Sequence, residues 1–168
     1  MQYYFITNNI NRSIRHVHRL DKDTTGCILY AKDIITHAAL SKMLENNQII
    51  RLYHAEVVGK VENKGTYSNP IGKDRHHNNK MVVSKNGQKA ITNYKLLKYD
   101  GNKNTSLVEI KLDTGRTHQI RVHFSYNLHP LIGDSIYNPH YSNEKLQLTS
   151  YSIEFIHPIT RQKVYVNV

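Results

Sequence analysis

His18-Arg19-Leu20-Asp21-Lys22-Asp23-Thr24-Thr25-Gly26 stands directly ahead of the apolar run Cys27 to Ala31. An Asp beside an Arg, closed by two hydroxyls and a Gly, places a carboxylate on a tight turn at the mouth of a sheet. The apolar run reads as a short strand with both faces covered. Much later, Leu112-Asp113-Thr114-Gly115-Arg116-Thr117-His118-Gln119-Ile120-Arg121-Val122-His123 offers the cationic counterpart. The two stretches predict an acid held ionised by an arginine, because a nearby guanidinium favours the charged form against desolvation.

Working outward, Asp33 can cap a helix in which Ile35, Ala38, Ala39, Met43 and Leu44 face inward. Lys42, Glu45 and Asn46 then lie on its outer face. Residues 49–58 alternate as a strand, with Ile50, Leu52, His54 and Glu56 opposed to Ile49, Arg51, Tyr53, Ala55 and Val57. Residues 59–86 are rich in turn residues and charge and read as a surface insertion. Strands resume over 90–97 and 106–112 around the hairpin turn Asp100-Gly101-Asn102. Thr114-Gly115 breaks the second strand, and residues 116–126 can form a helix. Late strands over 151–156 and 163–166 bracket His157-Pro158, and residues 1–15 read as an irregular lead-in. The class is α+β, a mainly antiparallel mixed sheet with flanking helices.

At 168 residues, the chain reads as one domain, or the larger part of one, and a chain of this size buries roughly 70% of its unfolded surface. Its formal net charge of +10 suits a polyanion, nucleic acid above all. No apolar run reaches the ~20 residues that span a bilayer, so no membrane partner is expected. Cys27 is the single cysteine, which excludes an internal disulfide and fits a reducing, cytoplasmic compartment. His16 and His18, and His76-His77, lack cysteine partners, while His118 and His123 would not share a helical face. No metal site is expected.

These motifs, in this order, resemble the RluA-type family of RNA pseudouridine synthases. His18 to Gly26 is similar to the family's HRLDxxTSG signature, with Thr25 in place of Ser. Arg51-Leu52-Tyr53 through Gly59 resembles a strand bearing an active-site tyrosine. Residues 88–94, residues 114–123, and His129-Pro130-Leu131-Ile132-Gly133-Asp134 with Tyr137 resemble the blocks that follow. The resemblance runs from about residue 16 to the C-terminus and implies a pseudouridine-synthase-like catalytic domain over 16–168. Leu148-Thr149-Ser150 stands where Leu-His-Ala is common. The strand with a Lys-Pro-Ser-Gly turn that usually precedes the signature is not in this sequence, so either the chain is a truncated piece or the sheet is completed differently.

The resemblance implies a cofactor-free isomerisation of a uridine in a structured loop of ribosomal or transfer RNA. Asp21 would be its essential group, as nucleophile or as base. Arg121 is the implied partner of that carboxylate, and Tyr53 the ring packed against the target base. Arg19, beside Asp21, fits either the gap left by an extruded base or a simple phosphate contact. Arg116 and His118 fall at the predicted helix start, where exposed amides favour anions. Lys73, Arg75 and Lys80 read as phosphate contacts on the basic insertion. Two other readings stand beside this one: an RNA-binding remnant without turnover, and a basic module for DNA or membrane. Oligomeric state is not legible.

Overall fold

A computed structural model describes residues 2–8, 14–77, 79–141 and 144–168, with the side chains of Gln2, Tyr4, Phe5 and Tyr141 left out. In chain order the described elements are α1 (Gln2–Thr7), β1 (Arg15–His16), β2 (Thr25–Gly26), β3 (Tyr30–Ala31), α2 (Ile34–Glu45) and β4 (Ile50–Val58). There follow β5 (Lys64–Tyr67), β6 (Ile71–Lys73), β7 (Met81–Val83), β8 (Thr92–Asp100), β9 (Thr105–Leu112) and α3 (Gln119–Tyr126). A 3-10 turn (Pro139–Tyr141), β10 (Leu148–Ile156) and β11 (Lys163–Asn167) complete them.

The main sheet has the order β11-β10-β4-β9-β8-β5, antiparallel throughout. β2 joins β10 in parallel through Thr25 opposite Thr149 and Gly26 opposite Ser150. β1 pairs with β3, and β6 with β7. The expected α+β class and antiparallel sheet are what the chain forms.

Strict alternation organises the centre. β4 buries Arg51, Tyr53, Ala55 and Val57 and leaves the intervening residues half-exposed. That row meets Val108 and Ile110 of β9 and Tyr94 of β8, and α3 covers it with Ile120 and Phe124. A second core joins Leu40 of α2 to Val17, Cys27, Ala31, Ile49, Ile153 and Phe155. Hydrophobic burial on one face of a twisted sheet, closed by a helix, is the driving force throughout. The β8–β9 hairpin turns where expected, with Asp100 Oδ1 accepting the amides of Asn102 and Lys103 at 2.9 and 3.2 Å.

Several local expectations are corrected. The lead-in is not irregular throughout, since residues 2–7 are helical and 15–16 pair with β3. The apolar run after the signature is not one strand. Cys27 donates to the Ser150 carbonyl at 2.8 Å, continuing β2. The Leu29 amide instead goes to His18 Nε2 at 3.2 Å, which interrupts the ladder before β3.

In α2, Asp33 caps as predicted, with Oδ1 accepting the Thr36 amide at 2.8 Å. The buried face nevertheless belongs to Thr36 and Leu40, while Ile35 and Ala38 are exposed. Residues 59–86 are more than a surface insertion, because β5 extends the main sheet and Val61 and Ile71 are buried. Residues 116–118 precede α3 rather than belonging to it. Gln119 Oε1 accepts the Arg116 amide at 3.0 Å and the Thr114 hydroxyl at 2.8 Å, and His118 caps the helix at φ 55.

Candidate active site

The signature forms the tight turn its composition implies. The Thr24 amide donates to the Asp21 carbonyl at 3.0 Å, and Thr25-Gly26 then docks on β10. Gly26 adopts φ +104, and a Cβ there would collide with the Ser150 carbonyl, so only glycine allows this approach. The turn thereby faces the inner row of β4. Between them lies a cleft of about 410 Å³, lined by His18 to Asp21 and Thr24, by Arg51 and Tyr53, by residues 112–117, and by Ile120 and Leu148.

Asp21, Tyr53 and Arg121 converge here. Asp21 and Tyr53 share the cleft wall, while Arg121 lies behind Asp21 with its Nη1 3.9 Å from Asp21 Oδ2. The Arg121 side chain is almost wholly buried and Asp21 is mostly so. The arrangement differs from the expected two-membered clasp, because the main partner of Arg121 is Asp134. Its Nε and Nη2 donate to the two Asp134 oxygens at 2.7 Å each. Asp134 Oδ1 also accepts the amides of Ile136 and Tyr137 at 3.0 Å. Burial alone would weaken the hold of Arg121 on its proton, but the bonds and charge of Asp134, with Asp21 behind them, more than offset it. The guanidinium is a fixed cation aimed at Asp21.

Tyr137 closes the back of this cluster. Arg121 Cζ sits 5.2 Å from its ring centre, a cation–π distance. The Tyr137 oxygen accepts the Met81 amide at 2.9 Å and lies 2.9 Å from His118 Nδ1. Burial pushes the Tyr137 phenol up to about 12, and burial likewise lowers His118 below the ordinary histidine range. The His118 ring is thus tied to Tyr137 through Nδ1. It does not line the cleft. Tyr53 is buried with its phenol pushed upward by desolvation, so it stays protonated near neutral pH and presents a ring and a hydroxyl.

The peripheral residues divide. Arg19 is exposed on the cleft wall. Arg116 lines the cleft, donating from Nε to the Lys89 carbonyl at 2.9 Å, and together with Lys73 it also lines a neighbouring depression of about 400 Å³. Arg75 is exposed on the β6–β7 turn, and Lys80 Nζ stands 5.8 Å from the Tyr137 ring centre. His123 points away into the core, 2.8 Å from both Thr92 Oγ1 and the Asn69 carbonyl.

Asp134, Arg51, His18 and Tyr137 carry more of the site than sequence reasoning assigned them. Asp134 and Tyr137 were visible as a Gly-Asp after an apolar pair and a tyrosine three residues on. Arg51 was visible as a cation in the apolar row of β4.

Both departures from the signature pattern meet on the far side of the sheet. Thr25 Oγ1 and Thr149 Oγ1 lie 3.1 Å apart, and Thr149 follows Leu148, whose side chain faces the cleft. The residue that replaces the common histidine is thus outside the cleft wall.

A buried arginine–carboxylate pair thus lies beneath an acidic turn, at a cleft on an antiparallel sheet lined by Arg19, Arg51 and Arg116 as well as by Asp21, Glu45 and Asp113. Residues 3–126 match the family model described as RNA pseudouridylate synthase, and the chain belongs to that family. It is 42% identical over 167 residues to a Bacillus subtilis (strain 168) protein named uncharacterized RNA pseudouridine synthase YhcT, covering 96% of this chain and 54% of that one. It is 42% identical over 122 residues to the ribosomal large subunit pseudouridine synthase D of Pseudomonas aeruginosa, covering 72% of this chain and 37% of the relative. The structure of human RNA Pseudouridylate Synthase Domain Containing 1 superposes with a TM-score of 0.81 at 25% identity, covering 93% of this chain and 69% of that one. The chain thus spans little more than half of the first relative and less of the second. Among the described residues, no helix is long and apolar enough to cross a membrane.

Proposed function

We propose that residues 16–168 form a catalytic domain that isomerises a uridine of structured RNA to pseudouridine, with Asp21 as the essential group. The single observation that carries this reading is the convergence of Asp21 and Tyr53 in one cleft, with Arg121 3.9 Å behind the carboxylate. The reaction breaks the bond from ribose C1′ to uracil N1 and forms one from C1′ to C5. The C5 proton leaves and N1 gains one, so atoms balance with no oxidant or co-reactant.

Asp21 acts either by attack on the nucleoside or by removing a proton from the sugar. Both routes need a carboxylate that is negatively charged in a cleft from which bound RNA excludes water. Arg121 supplies a fixed positive charge toward it, and Asp134 keeps that charge from wandering. Tyr53 offers its ring to the displaced base. Extrusion of a base costs a few kcal/mol, least in loops. In this reading Arg19, on the same turn as Asp21, fills the gap or meets a phosphate, and Arg116, Lys73, Arg75 and Lys80 draw in the backbone.

The name of the Pseudomonas relative favours ribosomal RNA as the substrate class over transfer RNA. The test is conversion of uridine in bulk bacterial RNA by the wild type and by Asp21→Asn. Conversion lost on substitution, with RNA still bound, supports the reading. RNA binding without conversion by either protein supports the remnant instead.

A further inference from the structure

Arg51 lies on the cleft side of β4, two residues before Tyr53, and is 8% exposed. Among the described residues no carboxylate lies within 4.0 Å of its guanidinium, its buried Nε has no partner, and its one near polar neighbour is the neutral phenol of Tyr53. A buried, unpaired cation is costly, and proteins ordinarily pair it or surround it with acceptors. The cleft holds acidic groups that could have served, yet each is engaged elsewhere. Glu45 bonds Lys42 at 3.2 Å, Asp113 accepts from Asn93 at 2.9 Å, and Asp21 faces Arg121.

The surroundings of Arg51 are short of acceptors in a patterned way. His18, 6% exposed and also on the cleft wall, uses Nε2 to accept the Leu29 amide, which leaves the proton on Nδ1. That Nδ1 is buried without a partner, as is Thr24 Oγ1, while the buried Ser150 Oγ has only the Tyr53 phenol near it. His18 and Thr24 line the cleft with Arg51, and Ser150 stands opposite Tyr53 in the sheet. Gly115 keeps the guanidinium open. A Cβ there would sit 3.7 Å from Nη1 and 4.0 Å from Nη2, and anything longer would cover the charge.

We infer that Arg51, with His18 beside it, binds a phosphate of the RNA backbone next to the target nucleotide. The inference rests on the proposed function and adds to it the residue that fixes the register of the nucleotide. A neutral base carbonyl would leave the buried charge uncompensated, whereas a phosphodiester neutralises it and matches the planar fork with two parallel bonds. The Tyr53 phenol and the Arg51 guanidinium adjoin on one wall of the cleft, so a base against the Tyr53 ring brings its flanking phosphate within reach of Arg51.

The test uses the full 168-residue chain. The Arg51 Nε–H resonance of nitrogen-15-labelled protein is followed during titration with inorganic phosphate, uridine 5′-monophosphate and uridine. A shift with phosphate and the monophosphate, and none with uridine, is expected. In parallel, binding of bulk bacterial RNA is measured against salt for wild type, Arg51→Lys and Arg51→Met, all in the Asp21→Asn background. Removing one phosphate contact should lower the slope of log affinity against log salt by about 0.7 for Arg51→Met, with Arg51→Lys intermediate in affinity.

An Nε–H that ignores phosphate, or answers uridine as strongly, overturns the inference, as does an unchanged salt slope in a folded Arg51→Met. If Arg51→Met does not fold, the wild-type titration and Arg51→Lys decide. Because neither measurement needs turnover, a phosphate response from a chain that converts no uridine sustains the phosphate site and sinks only the proposed activity.

Discussion

Asp134 takes two nitrogens of Arg121 at 2.7 Å each, and Asp21 stands 3.9 Å from the third. The guanidinium is therefore oriented by one carboxylate and offered to another. This division lets the first acid be wholly structural, fully buried and bonded on both oxygens. The second stays at the cleft, with no side-chain hydrogen bond to its carboxylate among the described residues.

Asp134→Asn should expose the consequence. It keeps the shape but leaves Arg121 as a buried cation without its counter-ion, and such losses cost about 3–5 kcal/mol. Urea unfolding at neutral pH measures it. A change below about 1 kcal/mol would mean that Asp21 alone satisfies Arg121.

Stability should fall on mild acidification because of His18. Desolvation, with the neighbouring Arg51 charge, lowers its pKa from the ordinary 6.5 to about 4. The unfolded chain therefore binds more protons between these values, so stability rises with pH across that window and is lost as pH falls from about 6.5 toward 4. The contribution is of order 3 kcal/mol at neutral pH, and the lowered His118 and His123 act in the same direction. Unfolding free energies measured at pH 7 and 5 should differ less in His18→Gln than in wild type. Equal differences would remove His18 from the account.

Gly26→Ala tests the docking of the signature turn. The backbone is at φ +104 and the new methyl meets the Ser150 carbonyl, so β2 must separate from β10. Destabilisation of more than about 1 kcal/mol is expected, with loss of conversion, since Asp21 sits on the same turn. Thermal unfolding together with RNA conversion checks both.

What the sequence disclosed depended on how local the cause was. The buried row of β4, the Asp33 cap and the Asp100 turn each arise from residues within a few positions, and each formed as read. The end of the signature strand was hidden because the Leu29 amide is captured by His18, eleven positions back. The start of α3 was hidden because Gln119 folds back on Thr114 and Arg116. The convergence of Asp21, Tyr53 and Arg121 was legible through ordered motifs. The priority of Asp134 over Asp21 was not, since motif order carries no distances.

The most direct measurement is release of tritium from RNA labelled at uracil C5, because that proton must leave when carbon replaces nitrogen at the ribose. The wild-type chain should release label from structured ribosomal RNA, and Asp21→Asn, folded and still binding RNA, should fall by at least ~1000-fold. Release undiminished in Asp21→Asn would contradict the central role given to that carboxylate.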